Sequence, residues 1–288
     1  MDDETVGIAL VLISAVGFGT LGIFGVLAAE EGLSIPTVLA LRFALAAVVV
    51  WAVLWFQGRF RLLRGRMLAV AFALGAVGYA TQSGLYFLGL EFMTAGMVAI
   101  VLYTYPAFVV CLVAIVHPSR VTTVLVVALG LSIGGVALIT GADPAGADPV
   151  GVLVVLGAAL AYSLYIVVSQ RALLTVDAEV LTAFVLPAAA VSFIVFGLGT
   201  ETLAMPEGAS AWAVALAIAI LATVVPVLTF FAGIARIGAS RASIISTAEP
   251  GVTVALGALV LGEPVTAVTI GGGTLVVVGV ILIQREGT

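Results

Sequence analysis

Apolar runs of about twenty residues recur along the whole chain, and they limit its possible folds more than any other feature. A bilayer core about 30 Å thick is crossed by a helix of roughly that length. Lipid offers no partners to backbone N–H and C=O groups, so crossing segments must be helices or a closed barrel. Barrel strands alternate in polarity over about ten residues. These runs are apolar on all sides, which predicts helices. Charges are too few to cover a soluble surface: 10 basic and 15 acidic residues in 288, with 63% of hydrophobic type.

Ten spans are expected near 6–28, 35–56, 67–89, 94–116, 121–140, 150–169, 178–199, 211–232, 238–261 and 266–283. The acidic start, Met1-Asp2-Asp3-Glu4, lacks the positive flank of a signal peptide, so the first segment is read as a mature span. Most connectors are short, which predicts that consecutive helices are neighbours. The segment 57–66 is read as a surface turn or short interfacial helix, and the Pro-, Gly- and Asp-rich loop 141–149 divides the chain.

Ten spans place both termini on one side. Arg59, Arg61, Arg64, Arg66, Arg120, Arg171, Arg236, Arg241 and Arg285 all fall there. The opposite connectors hold Glu30, Glu31, Glu91, Asp143, Asp148, Glu201, Glu207 and Glu263, with no arginine. Positive residues mark the cytoplasmic face, so both termini are expected inside.

Sliding the chain by 144 residues aligns its halves without a gap. Gly7 meets Gly151, Gly89 meets Gly233, Pro106 meets Pro250, and Gly135-Val136 meets Gly279-Val280. Five spans per repeat is an odd number, so the second repeat must enter inverted. The charges agree: the arginine-rich 57–66 corresponds to 201–210, which has Glu201 and Glu207 and no arginine. The expected fold is therefore an all-α membrane protein of ten helices, in two inverted five-helix repeats (6–140 and 150–284) around a central cavity. Such architectures serve alternating access.

Glu249 lies mid-span in Ser246-Thr247-Ala248-Glu249-Pro250-Gly251. An ionisable group there is costly and normally faces a cavity or a partner. Pro250 frees a carbonyl and permits a kink. Two readings stand for Glu249: a group that binds a substrate amine or carries a proton, and a structural carboxylate. Arg42 could pair with Glu249, attract a substrate carboxylate, or snorkel to the headgroups. Tyr79, Gln82-Ser83 and Tyr86 form one polar stripe on the third span. Tyr103 stands just before Tyr105-Pro106 in the fourth. Tyr162, Ser163 and Tyr165 lie in the sixth, and Ser243, Ser246 and Thr247 extend the polar side of Glu249. For each tyrosine, packing and ligand contact both remain open. Pro106 and Pro250 are candidate gating points. Gly130 and Gly134 form Gly-x-x-x-Gly, with Gly135 beside them, and Gly271-Gly272-Gly273 recurs in the tenth span; close helix packing is expected.

The single cysteine, Cys111, excludes an internal disulfide. His117 is the sole histidine and is read as a loop residue. The sequence contains no phosphate loop, no Ser-His-Asp set and no nucleotide-binding domain. Neither an enzyme nor a resident cofactor or metal is expected, and nucleic acid is not an expected partner.

The Ser243-to-Glu249-Pro250 pattern, the Arg42-Phe43 pair and the Gly-rich fifth span together resemble the drug/metabolite transporter superfamily, specifically ten-span members with two EamA domains. The likeness covers about 7–140 and 150–283. It implies a secondary transporter of the bacterial inner membrane, similar to exporters of amino acids or other small metabolites. In the structurally described amino-acid exporter of this type, spans one, three, four, six, eight and nine form the cavity. Carried over, Tyr79, Gln82, Tyr86, Tyr103, Tyr162 and Glu249 lie on cavity-forming spans. Tyr105 stands opposite Glu249, so the first repeat lacks a matching acid. The expected partners are a small-molecule substrate, the bilayer, a proton or membrane potential as coupling, and at most a weak homodimer. A multidrug exporter and a channel-like facilitator are the rival readings. Reporter tags inserted at 57–66 and 201–210 should emerge in opposite compartments; a protease-protection assay that finds them together would exclude the inverted repeat.

Overall fold

The computed structural model describes residues 2–116, 122–142, 147–238, 242 and 245–286. His117, Arg120, Asp143, Arg241 and Ser243 lie outside them. The described chain is helical throughout. In order, the helices are α1 (Asp3–Gly19), α2 (Leu21–Glu30), α3 (Ile35–Phe56), α4 (Gly65–Ala73), α5 (Ala80–Gly89), α6 (Ala95–Leu102), α7 (Tyr105–Val116), α8 (Thr123–Ala142), α9 (Pro149–Leu173), α10 (Ala178–Gly199), α11 (Gly208–Ala219), α12 (Val225–Ile237), α13 (Glu249–Val260) and α14 (Ala267–Glu286). Two π-helical turns, Leu74–Tyr79 and Ile220–Val224, join α4 to α5 and α11 to α12.

Local chemistry explains several starts. Asp2, Ser34, Thr94 and Asp148 accept the backbone N–H of Thr5, Thr37, Met97 and Val150, filling orphan donors of the first turn. The segment after Phe56 is a turn followed by irregular chain to Arg64, so no interfacial helix forms there.

Six runs are long and apolar enough to cross a membrane: Asp3–Glu30, Ile35–Phe56, Gly65–Gly89, Pro149–Leu173, Ala178–Gly199 and Gly208–Ile237. That is fewer than the ten expected. The other expected spans are represented by four shorter apolar helices among the described residues: Ala95–Val109, Val126–Ile139, Glu249–Val260 and Ala267–Leu282. Two of these spans are interrupted halfway, at Tyr103–Thr104 and at Thr247–Ala248.

Neighbours in sequence are not the main neighbours in space, contrary to expectation. The most extensive packing joins the halves: α8 with α14, α1 with α12, α3 with α10, and α5 with α9. Helices that are apolar all round carry no amphipathic stripe to fix a partner, so small residues decide. A Cβ on Gly89 would lie 2.3 Å from Val155, and one on Gly233 would lie 2.5 Å from Val11. A Cβ on Gly135 would lie 2.5 Å from the Gly272 carbonyl oxygen, and one on Gly279 would lie 2.7 Å from that of Ala128. In both pairs, shifting each residue by 144 positions into the other half converts one contact into its mate. Gly130 and Gly134 face open space instead, so the close approach falls to Gly135 and not to the Gly-x-x-x-Gly pair.

Contacts at helix ends sort into two sets. One end holds the ion pairs Arg59–Glu179 and Arg236–Asp3. The other holds Ser34 on the Thr202 carbonyl, Ser210 on Glu31, and Glu263 on the start of α6. These are called the arginine end and the acidic end below.

Gly135→Val should lower stability by about 1–3 kcal/mol through overpacking against the backbone of α14. Gly134→Val should cost no more than about 1 kcal/mol, since nothing stands within 4 Å of its Cβ position. Thermal unfolding of the two variants in detergent is the check, and equal shifts would refute the assignment.

Candidate functional site

The two mid-helix interruptions meet each other. The phenol of Tyr103, in the first, donates to the Ser246 carbonyl at 2.5 Å and lies 3.1 Å from Glu249 Oε2. The reason is local. Pro250 has no N–H, so the carbonyl four residues earlier, Ser246, loses its helical donor. Tyr103 replaces that donor from across the bundle. One phenol carries one proton, and the shorter contact takes most of it, leaving the Glu249 carboxylate only weakly served.

The prolines lie just after the breaks. Pro106 is the second residue of α7, and Pro250 the second of α13, positions where a missing N–H is tolerated. The expected kinks are therefore interruptions placed ahead of both prolines. Tyr105 and Glu249, 144 residues apart, each begin the resumed helix. Glu249 thus sits on the positive end of the α13 dipole. Ser163 donates to the Tyr105 carbonyl at 2.8 Å, while Gly19 packs near the Glu249 carbonyl in the corresponding place.

An aromatic row runs from this point. Ring centroids are 5.8 Å apart for Tyr103–Tyr105, 4.8 Å for Tyr105–Tyr162, 6.1 Å for Tyr162–Tyr165, 5.5 Å for Tyr165–Tyr79 and 5.3 Å for Tyr79–Phe43. Five of the six tyrosines in the chain belong to it. Tyr86, the sixth, is buried nearer the acidic end, against Phe87.

Arg42 is 2% exposed, so it does not snorkel. No ion pair among the described residues joins it to Glu249. Its Nε donates to Thr223 Oγ1 at 2.8 Å, and its guanidinium carbon stands 4.8 Å from the Phe43 ring centre. The phenols of Tyr79 and Tyr86 interact with it electrostatically. Tyr79 and Thr223 are 144 residues apart, and each falls within or ends a π-helical turn. Such turns leave carbonyls without regular partners and often mark functional positions. Thr223 donates to the Ile218 carbonyl just before the second turn at 3.0 Å, and Ser192 donates to that of Ala76 in the first at 2.8 Å.

Of the residues singled out in the sequence, Tyr103, Ser246 and Glu249 meet directly, and Tyr162 and Tyr79 join them through Tyr105 and Tyr165. Tyr86 acts on Glu249 only electrostatically. Gln82 is buried and bonded to its neighbour Ser83 at 3.0 Å. Thr223 escaped sequence reading, although its repeat position opposite Tyr79 was a usable signal.

Exposure is graded. Arg42, Gln82, Tyr86 and Tyr103 are buried, whereas Tyr79, Tyr105, Tyr162, Tyr165, Ser246 and Glu249 are partly exposed. A separate apolar cavity of about 330 Å³ lies on the other side of α13, lined by Ile100, Pro250, Val254, Ile270 and Val277 among others. No group of three or more His, Cys, Asp or Glu side chains placed to hold a metal occurs among the described residues.

The chain belongs to the EamA-like transporter family, which matches residues 5–141 and again 149–285. It is similar to an uncharacterized transporter of Archaeoglobus fulgidus, 26% identical over 277 residues, covering 96% of this chain and 98% of the relative. It also resembles the uncharacterized transporter YcbK of Bacillus subtilis, 31% identical over 191 residues, or 62% and 59% of the two chains. A solved crystal structure with 21% identity shares the fold at a TM-score of 0.67, over 97% of this chain and 96% of that one. The protein is thus a multi-pass helical membrane protein of a transporter family.

Thr223→Val should leave the Arg42 Nε buried without an acceptor, costing about 1–3 kcal/mol. Thr223→Ser should retain most of that stability. Comparing both by thermal unfolding in detergent tests the assignment, which equal losses would contradict.

Proposed function

We propose that the protein exports small amine-bearing metabolites, amino acids with apolar or aromatic side chains foremost, by alternating access. Glu249 carries this reading. It is the carboxylate of a partly exposed residue beside the interruption of the ninth expected span, on a helix N-terminus, with no ion-pair partner among the described residues. A solute ammonium supplies the missing positive charge, and the phenol faces beside it suit both a cation and an apolar side chain. The family match supports transport in general; the amine-bearing substrate class rests on this geometry and on the resemblance noted in the sequence.

In this reading the four shorter apolar helices complete ten crossings, and residues 6–140 and 150–284 are inverted repeats. The paired glycine contacts and the packing between halves support it, because they are what interchange of two like bundles would produce. The arginine end faces the cytoplasm of a bacterial inner membrane, with both termini there. The graded exposure then corresponds to a state sealed toward the acidic end and open toward the cytoplasm, ready to load. Substrate-binding roles fall to Tyr79, Tyr103, Tyr162, Ser246 and Glu249. Gln82, Tyr86 and the buried Arg42 belong to the seal above them. The interruptions ahead of Pro106 and Pro250 are the moving points.

Counterflow in proteoliposomes with a panel of labelled amino acids, amines and drugs tests the substrate class. Saturable exchange restricted to amine-bearing metabolites is expected. Broad drug acceptance would favour a multidrug exporter, and non-saturable flux a channel. Glu249→Gln should reduce exchange at least about tenfold, equivalent to about 1.4 kcal/mol of lost recognition, while leaving the thermal unfolding temperature near that of the parent. Undiminished exchange by that variant would remove Glu249 from the site.

A further inference from the structure

At the acidic end, the turn after α13 reaches across to the other half. Glu263 Oε1 accepts the Ala95 N–H at 2.7 Å, and Oε2 accepts the Gly96 N–H at 3.3 Å. These are the first two donors of α6, and the side chain of Thr94 takes the third, from Met97. One carboxylate thus fills two orphan N–H groups and lies on the positive end of a helix dipole. The local backbone is shaped for it. Gly262 adopts φ +67°, which lets the chain turn back, and the Glu263 N–H bonds the Gly257 carbonyl at 3.0 Å. Gly257 leaves the space that the carboxylate uses: a Cβ there would stand 2.2 Å from Glu263 Oε2.

The same pair of helices is fastened twice. Glu263 ties the α13 turn to the start of α6, Gly96 packs against Val254 below it, and Tyr103 meets Ser246 and Glu249 at the far end of α6. From Ala95 to Tyr103 the helix rises about 12 Å. Any opening of the site toward the acidic end along this seam must release the Glu263 contact. The device is one-sided in sequence, because the position 144 residues before Glu263 is Ser119.

We propose that Glu263 is the latch of a gate at the acidic end, holding α6 against the α13 turn in the sealed state and releasing α6 when the site opens to that side. The proposal rests on the alternating-access reading. The latch can reverse, because once α6 parts from the turn water can take the place of the carboxylate on both N–H groups.

The test uses the full chain with Cys111→Ala and a reporter Ala99→Cys. Ala99 is buried and lies between Ala95 and Tyr103 on one face of the helix. The protein is placed in nanodiscs, where both faces are reachable, and the labelling rate by a membrane-impermeant maleimide is measured. Glu263→Gln removes the charge. Gly257→Ala leaves the charge but displaces the carboxylate, so the two perturbations are independent. Each should raise labelling about tenfold, whereas Glu207→Gln, at the same end but outside the seam, should not. Unchanged labelling in either variant, once size exclusion shows it folded, overturns the latch. If one variant fails to fold, the other decides. Labelling does not require transport, so a parent protein that moves no solute would sink the transport reading alone.

Discussion

Inside a bilayer a carbonyl without a donor costs several kcal/mol, and this chain departs from regular helix repeatedly at mid-depth. Several carbonyls at or beside these departures receive a side-chain donor from another helix. Pro187, inside α10, frees the Ala183 carbonyl, and the Trp51 indole of α3 donates to it. Pro250 frees that of Ser246, and Tyr103 donates to it. Ser192 serves Ala76 in the first π turn, Ser14 serves Pro226 after the second, and Ser163 serves Tyr105 at the start of α7. Part of the chain's hydroxyl and ring N–H complement is therefore spent on carbonyls at or beside the breaks. Any polar path through the protein is built at these points.

The frame is close to symmetric and the chemistry is not. Interruptions and glycine contacts recur 144 residues apart and the π turns nearly so, yet Tyr105 stands opposite Glu249, Leu186 opposite Arg42, and Ser119 opposite Glu263. Packing demands small residues and breaks at matching places, since both halves meet along the same seams. Charge is under no such demand. A single acid at the meeting point avoids the mutual repulsion and doubled desolvation cost that two equivalent acids would bring.

Much of this was legible in the sequence. Long apolar runs announced the helices, and a constant offset announced the repeat, because both are global patterns that no single residue can obscure. Glu249 stood out through the cost of charge in lipid, and Tyr103 through its place opposite the Glu249 segment in the repeat. Partners were harder. Glycine marks where helices can approach but not which face it occupies, so Gly130 and Gly134 misled while Gly135 made the contact. Arg42 could not be assigned because its acceptor, Thr223, lies 181 residues away on another helix. The π turns have no sequence signature of their own. Glu263 read as one more loop acid, since what distinguishes it is the space left by Gly257 and the open N–H groups of α6.

The Tyr103 phenol links these observations mechanically. Its hydroxyl stands between a carbonyl that must be satisfied and a carboxylate that is only partly satisfied. If α6 shifts against α13, Ser246 loses its donor and Glu249 loses its neighbour together. A ligand ammonium at Glu249 would draw the carboxylate away from the phenol and leave the phenol proton to Ser246, tightening that bond as the other loosens. Occupancy of the site and the set of the interrupted helices are then two readings of one hydrogen-bond arrangement. A break placed one turn away on either helix would separate them.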